Sequence, residues 1–408
     1  MVHRFSVMGV PLIRVVVFAF IISLVPVCGI AQTHSGFPVD IVAGPPPQPV
    51  ASEGRTWLVY ELHLTNYAPL PIELTGVEVF GDGGTTLASY RGQGLEKALI
   101  AVEELSSADS PSGFAGTRTL GEGHAAIMFI NFALEPGARQ PTELHHRFSF
   151  AVTRKNGEII QGTVDGAGVP VVQQPVAVLA APLRGSLWIA FNALSSADHR
   201  RSLNAIDGRE RIPQRFAIDW MQLGPDGRLF HGDRKSNADY YDYGAEVLAV
   251  ADGRVSDLKD GLPENTGSSE RSSRTITIDN AVGNYVIVDL GHGRFALYAH
   301  LQPGSLRVKV GDKVSAGQVL ARLGNSGNSD EPHLHFQLMD SNSPLGSEGI
   351  PCEFASFTQL GDVNGQDAEL DAGQPWQPKT QAAPVVHRRE FPFDKAVVTF
   401  PENTQRQN

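Results

Sequence analysis

Cysteine is scarce in this 408-residue chain, with only Cys28 and Cys352, so no disulfide framework can hold a small loop-rich fold together. Charged residues are also sparse, at 19%, and they lean acidic to a net charge of −11. No basic stripe is present to follow a phosphate backbone, which excludes nucleic-acid binding as the main role. The apolar run over residues 15–27 falls short of the ~18 residues that a membrane-spanning helix needs. No internal repeat is visible. Apolar residues nevertheless make up 41% of the chain, enough for true cores, and this excludes a wholly disordered protein.

Turn formers are abundant, with 42 glycines and 27 prolines. That excess suits many short strands better than long helical bundles. At about 150 residues per domain, the length predicts two or three domains. Residues 1–31 read as an export signal, with basic Arg4 and Arg14, the apolar run, and small residues at Gly29 and Ala31 that suit cleavage after Ala31. The expected location is therefore periplasmic or extracellular, with no stable membrane insertion. An uncleaved anchor is the alternative. Cleavage after Ala31 would remove Cys28 and leave Cys352 as a lone thiol.

Residues 37–174 show short alternating segments at 58–64, 72–79, 125–132 and 147–152, with glycine-rich turns between. This predicts an antiparallel β-sandwich. Its role is open, and an envelope protein partner is one expectation. His145 and His146 are adjacent, so on a strand they point to opposite faces and do not form a metal pair. Prolines 170, 175 and 182 mark a boundary. A second strand-rich domain is expected over 185–360, followed by a loosely structured tail over 361–408 in which 396–400 can dock as one strand. The fold class is all-β.

Three segments of the second domain carry chemistry. His333 and His335 flank Leu334 in a strand-like segment, so their imidazoles project side by side. Alone, such a pair is most often a half-exposed strand face. His300 closes an apolar segment, where a core histidine bonded to a carbonyl is the ordinary reading. Asp219 follows Phe216, Ala217 and Ile218, where a turn former is the ordinary reading. Their occurrence together and in this order takes weight from those ordinary readings. The glycine-rich loop at 324–329 lets backbone approach closely whatever lies beside it.

The segments Asp289-Leu290-Gly291-His292-Gly293, Tyr298-Ala299-His300-Leu301, Val310-Gly311-Asp312-Lys313-Val314, Gly317-Gln318-Val319-Leu320, Gly324-Asn325-Ser326-Gly327 and Pro332-His333-Leu334-His335-Phe336 resemble, in order, the M23 zinc endopeptidases of the lysostaphin type. Residues 247–255 look like that family's early β-hairpin. The resemblance covers residues 215–336 and leaves out the sandwich. It implies a small antiparallel β-fold that cuts peptide bonds in cell-wall peptidoglycan. It further implies one Zn2+ with Asp219 and His335 among its ligands, and His300 and His333 as catalytic residues beside the reacting centre. Three protein ligands leave zinc an open position for an activated water.

The family's first zinc ligand falls four residues before Asp219, where this chain has Arg215. A guanidinium cannot ligate a metal. His199 is the leading substitute as third metal ligand. Residues 199–219 read as a hairpin turning at Asp207-Gly208. A two-residue turn puts His199 on the wrong face, and a three-residue turn puts it beside the vacant position. Gln214 and His231 are weaker candidates. Two other readings stand beside the peptidase: a metal-free, degenerate domain that binds and regulates other cell-wall hydrolases, and an envelope scaffold whose working part is the sandwich. Asp330 and Glu331 stand just before His333, either as a local influence on its charge or as solvated loop residues. Tyr240, Tyr241 and Tyr243 in the insertion at 225–243 either grip a cationic peptide or pin the loop.

Overall fold

The computed structural model describes residues 37–105, 116–196, 198–267, 275–378 and 383–401. The expected export signal, with Cys28 and its cleavage site, lies outside the described residues.

The fold is all-β. Among the described residues, the N-terminal half forms two five-stranded antiparallel sheets. The first runs Val39–Ala43, Arg55–Asn66, Ala125–Ala133, Leu99–Ala101, with Val50–Ser52 also on Arg55–Asn66; the second runs Ile159–Pro170, Glu143–Thr153, Ile72–Phe80, Thr86–Tyr90, with Thr119–Leu120 also on Ile72–Phe80. Alternation builds the core between them. Leu58, Tyr60, Leu62 and Leu64 face Ile72, Leu74, Val77, Val79 and Phe148. His145 and His146 point to opposite faces: His146 is buried against the Tyr60 hydroxyl at 2.7 Å and the Ala167 carbonyl at 2.6 Å, while His145 meets Glu143 at the surface.

The other face of the first sheet is buried too. Val59 belongs to the core of the second half of the chain. Ile100, Ile127 and Phe129 cluster with Ile212 and Leu203. Glu61, wholly buried on Arg55–Asn66, receives the Arg215 guanidinium, whose Nε lies 3.0 and 2.9 Å from its two oxygens. Arg215 also donates to Glu348 at 2.9 Å and to the Gly349 carbonyl at 3.0 Å. Removing one partner from a buried pair of this kind costs about 3–5 kcal/mol. The sandwich and the second half therefore share one continuous interior.

The second half is a long sheet in the order Ala177–Leu179, Cys352–Asp362, Ala396–Phe400, Gly185–Phe191, Ile218–Gln222, Leu334–Met339, Arg294–Leu301, Asn284–Gly291, Gly253–Lys259, Lys313–Val314, with Val385–Glu390 also on Cys352–Asp362. Its pairings are antiparallel except that of Ala177–Leu179 with Cys352–Asp362. Trp188, Trp220, Tyr298, Phe336, Phe354 and Phe400 fill its core. Two expectations are corrected. The tail at 361–408 is not loose where it is described: Ala396–Phe400 is inserted between Gly185–Phe191 and Cys352–Asp362, and Val397, Val398 and Phe400 are buried. The docking of 396–400 as a strand agrees with the expectation for that segment, and the polar composition conceals a further strand, Val385–Glu390, on Cys352–Asp362. Residues 247–255 form a corner rather than a hairpin. Glu246–Leu248 pairs with Val319–Arg322, whereas Gly253–Lys259 pairs with Asn284–Gly291. The backbone at the corner is satisfied elsewhere, with the Val250 N–H on the Tyr298 hydroxyl and its carbonyl on the Ala180 N–H.

Candidate active site

Three adjacent strands, Ile218–Gln222, Leu334–Met339 and Arg294–Leu301, set the site. Asp219 is the second residue of its strand, inside it rather than at its end, and stands directly opposite His335. On Leu334–Met339 the even positions Leu334, Phe336 and Leu338 enter the core, so His335 and Gln337 share the opposite face. His335 Nδ1 lies 2.8 Å from Asp219 Oδ1, and its Nε2 lies 2.8 Å from Gln337 Oε1. The Gln337 amide nitrogen donates to the Pro344 carbonyl at 3.2 Å. That bond turns Oε1 toward His335, so Nε2 carries a proton, and Nδ1, which donates to the Asp219 carboxylate here, is the atom left to ligate a metal once it loses its own proton.

His300 owes its place to a bulge. Ala299 and His300 both lie opposite Tyr285 where the pairing with Asn284–Gly291 slips, and His300 has φ +61°. Bulges re-aim side chains, and a left-handed non-glycine residue marks a constrained position. The His300 ring stands 4.7 Å from that of His333 and 5.7 Å from that of His335. Its Nδ1 donates to the Ser326 carbonyl at 2.7 Å, and His333 Nδ1 donates to the Glu331 carbonyl at 2.8 Å. In its neutral form, either ring thus keeps Nε2 as the acceptor. The glycine-rich loop serves this arrangement from within the protein. A Cβ at Gly327 would stand 2.4 Å from the Gly283 nitrogen, so the close approach is between two backbones, and it brings the Ser326 carbonyl to His300.

His199 reaches the cluster by a route different from that expected. The hairpin is only Asn204–Ile206 with Arg209–Arg211, and it turns on two residues, Asp207 and Gly208. Its pairing ends before His199, which lies instead in the 3-10 turn His199–Arg201. From there His199 Nε2 comes within 3.0 Å of Asp219 Oδ2. Strand-face parity does not apply to a residue off the strand. Arg215 lies in the turn before Ile218–Gln222 and is committed to Glu61 and Glu348. His231 packs edge-on against Tyr241.

The structure therefore gathers His199, Asp219, His300, His333 and His335. Among the described residues, two groups each hold donor atoms within 4.8 Å of one another: His199, Asp219 and His335, and His300, His333 and His335. Electrostatics follow from burial. Burial alone would raise the Asp219 carboxyl, but His199, His333 and His335 outweigh it and hold it well below the usual carboxylate range. Burial would lower His199, yet the Asp219 charge and hydrogen bond prevail and raise it. Burial, reinforced by His333 and His335, pushes His300 well below 6.5. Glu331 pairs through its carboxylate with Arg234 at 2.7 Å. Tyr240 is buried and Tyr243 donates to Glu264 at 2.7 Å, so these two pin the insertion.

Sequence reasoning missed Gln337 and Asn192. Gln337 could have been found by carrying the period of two one step past His335. Asn192, with φ +59°, donates to Asp219 Oδ2 at 2.9 Å, and it carries no comparable signal.

The model of Peptidase family M23 matches residues 239–346, which include His300, His333 and His335 but begin beyond His199 and Asp219. Three curated proteins are similar to parts of the chain. Peptidoglycan DD-endopeptidase ShyA of Vibrio cholerae serotype O1 is 37% identical over 84 residues, which are 18% of this chain and 19% of that protein. Glycyl-glycine endopeptidase ALE-1 of Staphylococcus capitis is 31% identical over 161 residues, 38% of this chain and 40% of that protein. Murein hydrolase activator EnvC of Escherichia coli strain K12 is 37% identical over 95 residues, 23% of this chain and 18% of that protein. The chain thus spans well under half the length of each. Among the described residues, no helix is long and apolar enough to cross a membrane. With the site histidines inside the matched segment, residues 239–346 form the part of the chain that matches Peptidase family M23.

Proposed function

We propose that this chain is an exported zinc-dependent endopeptidase acting on peptide bonds of bacterial cell-wall peptidoglycan. The observation that carries this reading is the convergence of His199, Asp219 and His335 within 4.8 Å, with His300 and His333 alongside. The donor set fits a zinc ion: two imidazoles and a carboxylate are ordinary zinc ligands, and three leave a position open. The Gln337 bond to His335 Nε2 fits as well, because a ligating imidazole commonly donates its other N–H to a fixed acceptor.

Zinc held by these residues would supply Lewis-acid polarisation of the scissile carbonyl and an activated water near neutral pH. The chain's own residues handle the proton. His300, kept neutral by burial and with Nε2 free, can accept a proton from the attacking water. His333, fixed through Nδ1 by the Glu331 carbonyl, presents Nε2 to the same space. Once it holds that proton, the His300 Nε2–H can donate to the developing oxyanion and then pass the proton to the leaving amine, with His333 placed beside the same relay.

The test is zinc stoichiometry on the purified chain together with digestion of purified peptidoglycan. One zinc per chain and release of cleaved peptides, both lost in His335→Ala, is the expected result. A second reading is favoured by one observation, the replacement of the expected first ligand by Arg215, and by the similarity to a hydrolase activator. In it the domain binds and activates other cell-wall hydrolases without metal. Absence of zinc after reconstitution, with stimulation of a separate hydrolase, would replace the first reading by the second.

A further inference from the structure

We propose that the N-terminal sandwich is an integral part of the metal site, and that Glu61 is a positioning residue for His199. The proposal rests on His199 being a metal ligand, as put forward above.

Arg215 occupies the place from which a ligand is expected, and its guanidinium is spent on a buried contact across the two halves of the chain. Its Nε sits within 3.0 Å of both Glu61 oxygens. The residue in its stead, His199, belongs to a 3-10 turn with no strand pairing of its own. A turn of three residues has little intrinsic rigidity, so something else must hold it.

What holds it is the sandwich. The two residues after His199 are both tied there. Arg200 is buried and donates to the Ile130 carbonyl at 3.1 Å. Arg201 donates to the Lys97 carbonyl at 2.7 Å and lies over the Phe129 ring at 5.9 Å. The chain leaving the turn is clamped as well, because Leu203 and Ile212 pack on Ile100, Ile127 and Phe129. Glu61 ties the same sheet to the turn that precedes Ile218–Gln222, through Arg215. It bonds Arg215 directly and its charge acts on Arg200. Asp219 and His335 come from strands of the second half, whereas His199 is delivered by a segment fastened to the first. The sandwich is therefore expected to decide whether the third donor stands close enough to ligate.

The experiment uses the full chain. Glu61→Leu combined with Arg215→Met removes both members of the pair, a replacement that buried ion pairs often tolerate in stability. Glu348 keeps Arg211 at 3.2 Å. Arg201→Ala loosens the turn without touching a buried charge pair. Zinc affinity is measured by chelator competition on the parent, these two variants and His199→Ala, with the absorption spectrum of the cobalt-loaded proteins recorded in parallel. The expected result is a folded paired variant that binds zinc about 10- to 100-fold more weakly. Its cobalt spectrum should move toward that of His199→Ala, and Arg201→Ala should shift both readouts in the same direction. If the paired variant does not fold, Arg201→Ala decides. Zinc affinity within about twofold of the parent in the folded variants, with zinc lost in His199→Ala, overturns the positioning role alone. Zinc retained in His199→Ala overturns the ligand assignment and the positioning role with it.

Discussion

Asp219 and His335 stand directly opposite each other on neighbouring antiparallel strands, with Oδ1 and Nδ1 2.8 Å apart. The Gln337 acceptor on the far side of the ring fixes which nitrogen faces the carboxylate. Gln337→Leu is therefore expected to weaken zinc binding by about 10- to 100-fold. The fold should survive, since Gln337 lies outside the apolar core. Chelator competition measures the first, and thermal melting in the absence of metal the second. Unchanged zinc affinity would mean that the tautomer of His335 does not matter.

His300 separates catalysis from metal binding. It is not within the group of His199, Asp219 and His335, and its Nδ1 is held by the Ser326 carbonyl. His300→Ala is expected to keep about one zinc while lowering peptide-bond cleavage by about 10²- to 10⁴-fold, the range of a lost general acid–base group. His300→Asn should be better folded than His300→Val, because asparagine tolerates a φ of +61° and a β-branched residue does not. Zinc analysis beside a cleavage assay checks the first claim, and melting temperatures of the two variants check the second.

Much of this site is written in local sequence. The His-x-His spacing needs only a strand to place two imidazoles together, and Asp219 follows a short apolar run. What escaped local reading depends on distant partners. The bulge that turns His300 inward exists because Asn284–Gly291 slips against Arg294–Leu301. The turn that carries His199 is held by carbonyls at Ile130 and Lys97, far away in the chain. Strand-face parity over residues 199–219 requires one long hairpin, but pairing stops after three residues on each side. The alternation on Arg55–Asn66 predicts a sandwich core, yet it cannot show that Val59 and Glu61 on the other face are buried against the second half of the chain.

Acid should weaken the sandwich through His146. Burial pushes its imidazole down to about 4, against the Ala167 carbonyl bond, which works the other way. An unfolded histidine titrates near ~6.5. As pH falls from 6.5 toward 4, the unfolded chain takes a proton that the folded chain refuses, so stability is lost over that window. Between pH 7 and pH 4.5 the parent is expected to lose roughly 2–3 kcal/mol more than His146→Gln. Urea unfolding of both proteins at the two pH values provides the comparison. Equal losses would show that the ring is protonated in the folded state.

Asp242 works in the opposite sense. The side chain is buried in the insertion, and burial raises its carboxyl well above the usual range, with the Gln222 backbone offsetting only part of the shift. The folded state favours the neutral acid, so stability is greatest below the unfolded pKa of about 3.9 and falls as pH rises through the raised folded value. Asp242→Asn removes that penalty and should stabilise the chain at pH 7 by roughly 1–3 kcal/mol, the cost of an imperfectly satisfied buried polar group. At pH 3.5 most of the advantage should be lost, because the parent carboxyl is then neutral in the folded state and mostly neutral in the unfolded one. A stabilisation that is the same at both pH values would point to packing instead of charge, and no stabilisation at pH 7 would mean that the carboxylate is solvated where it stands.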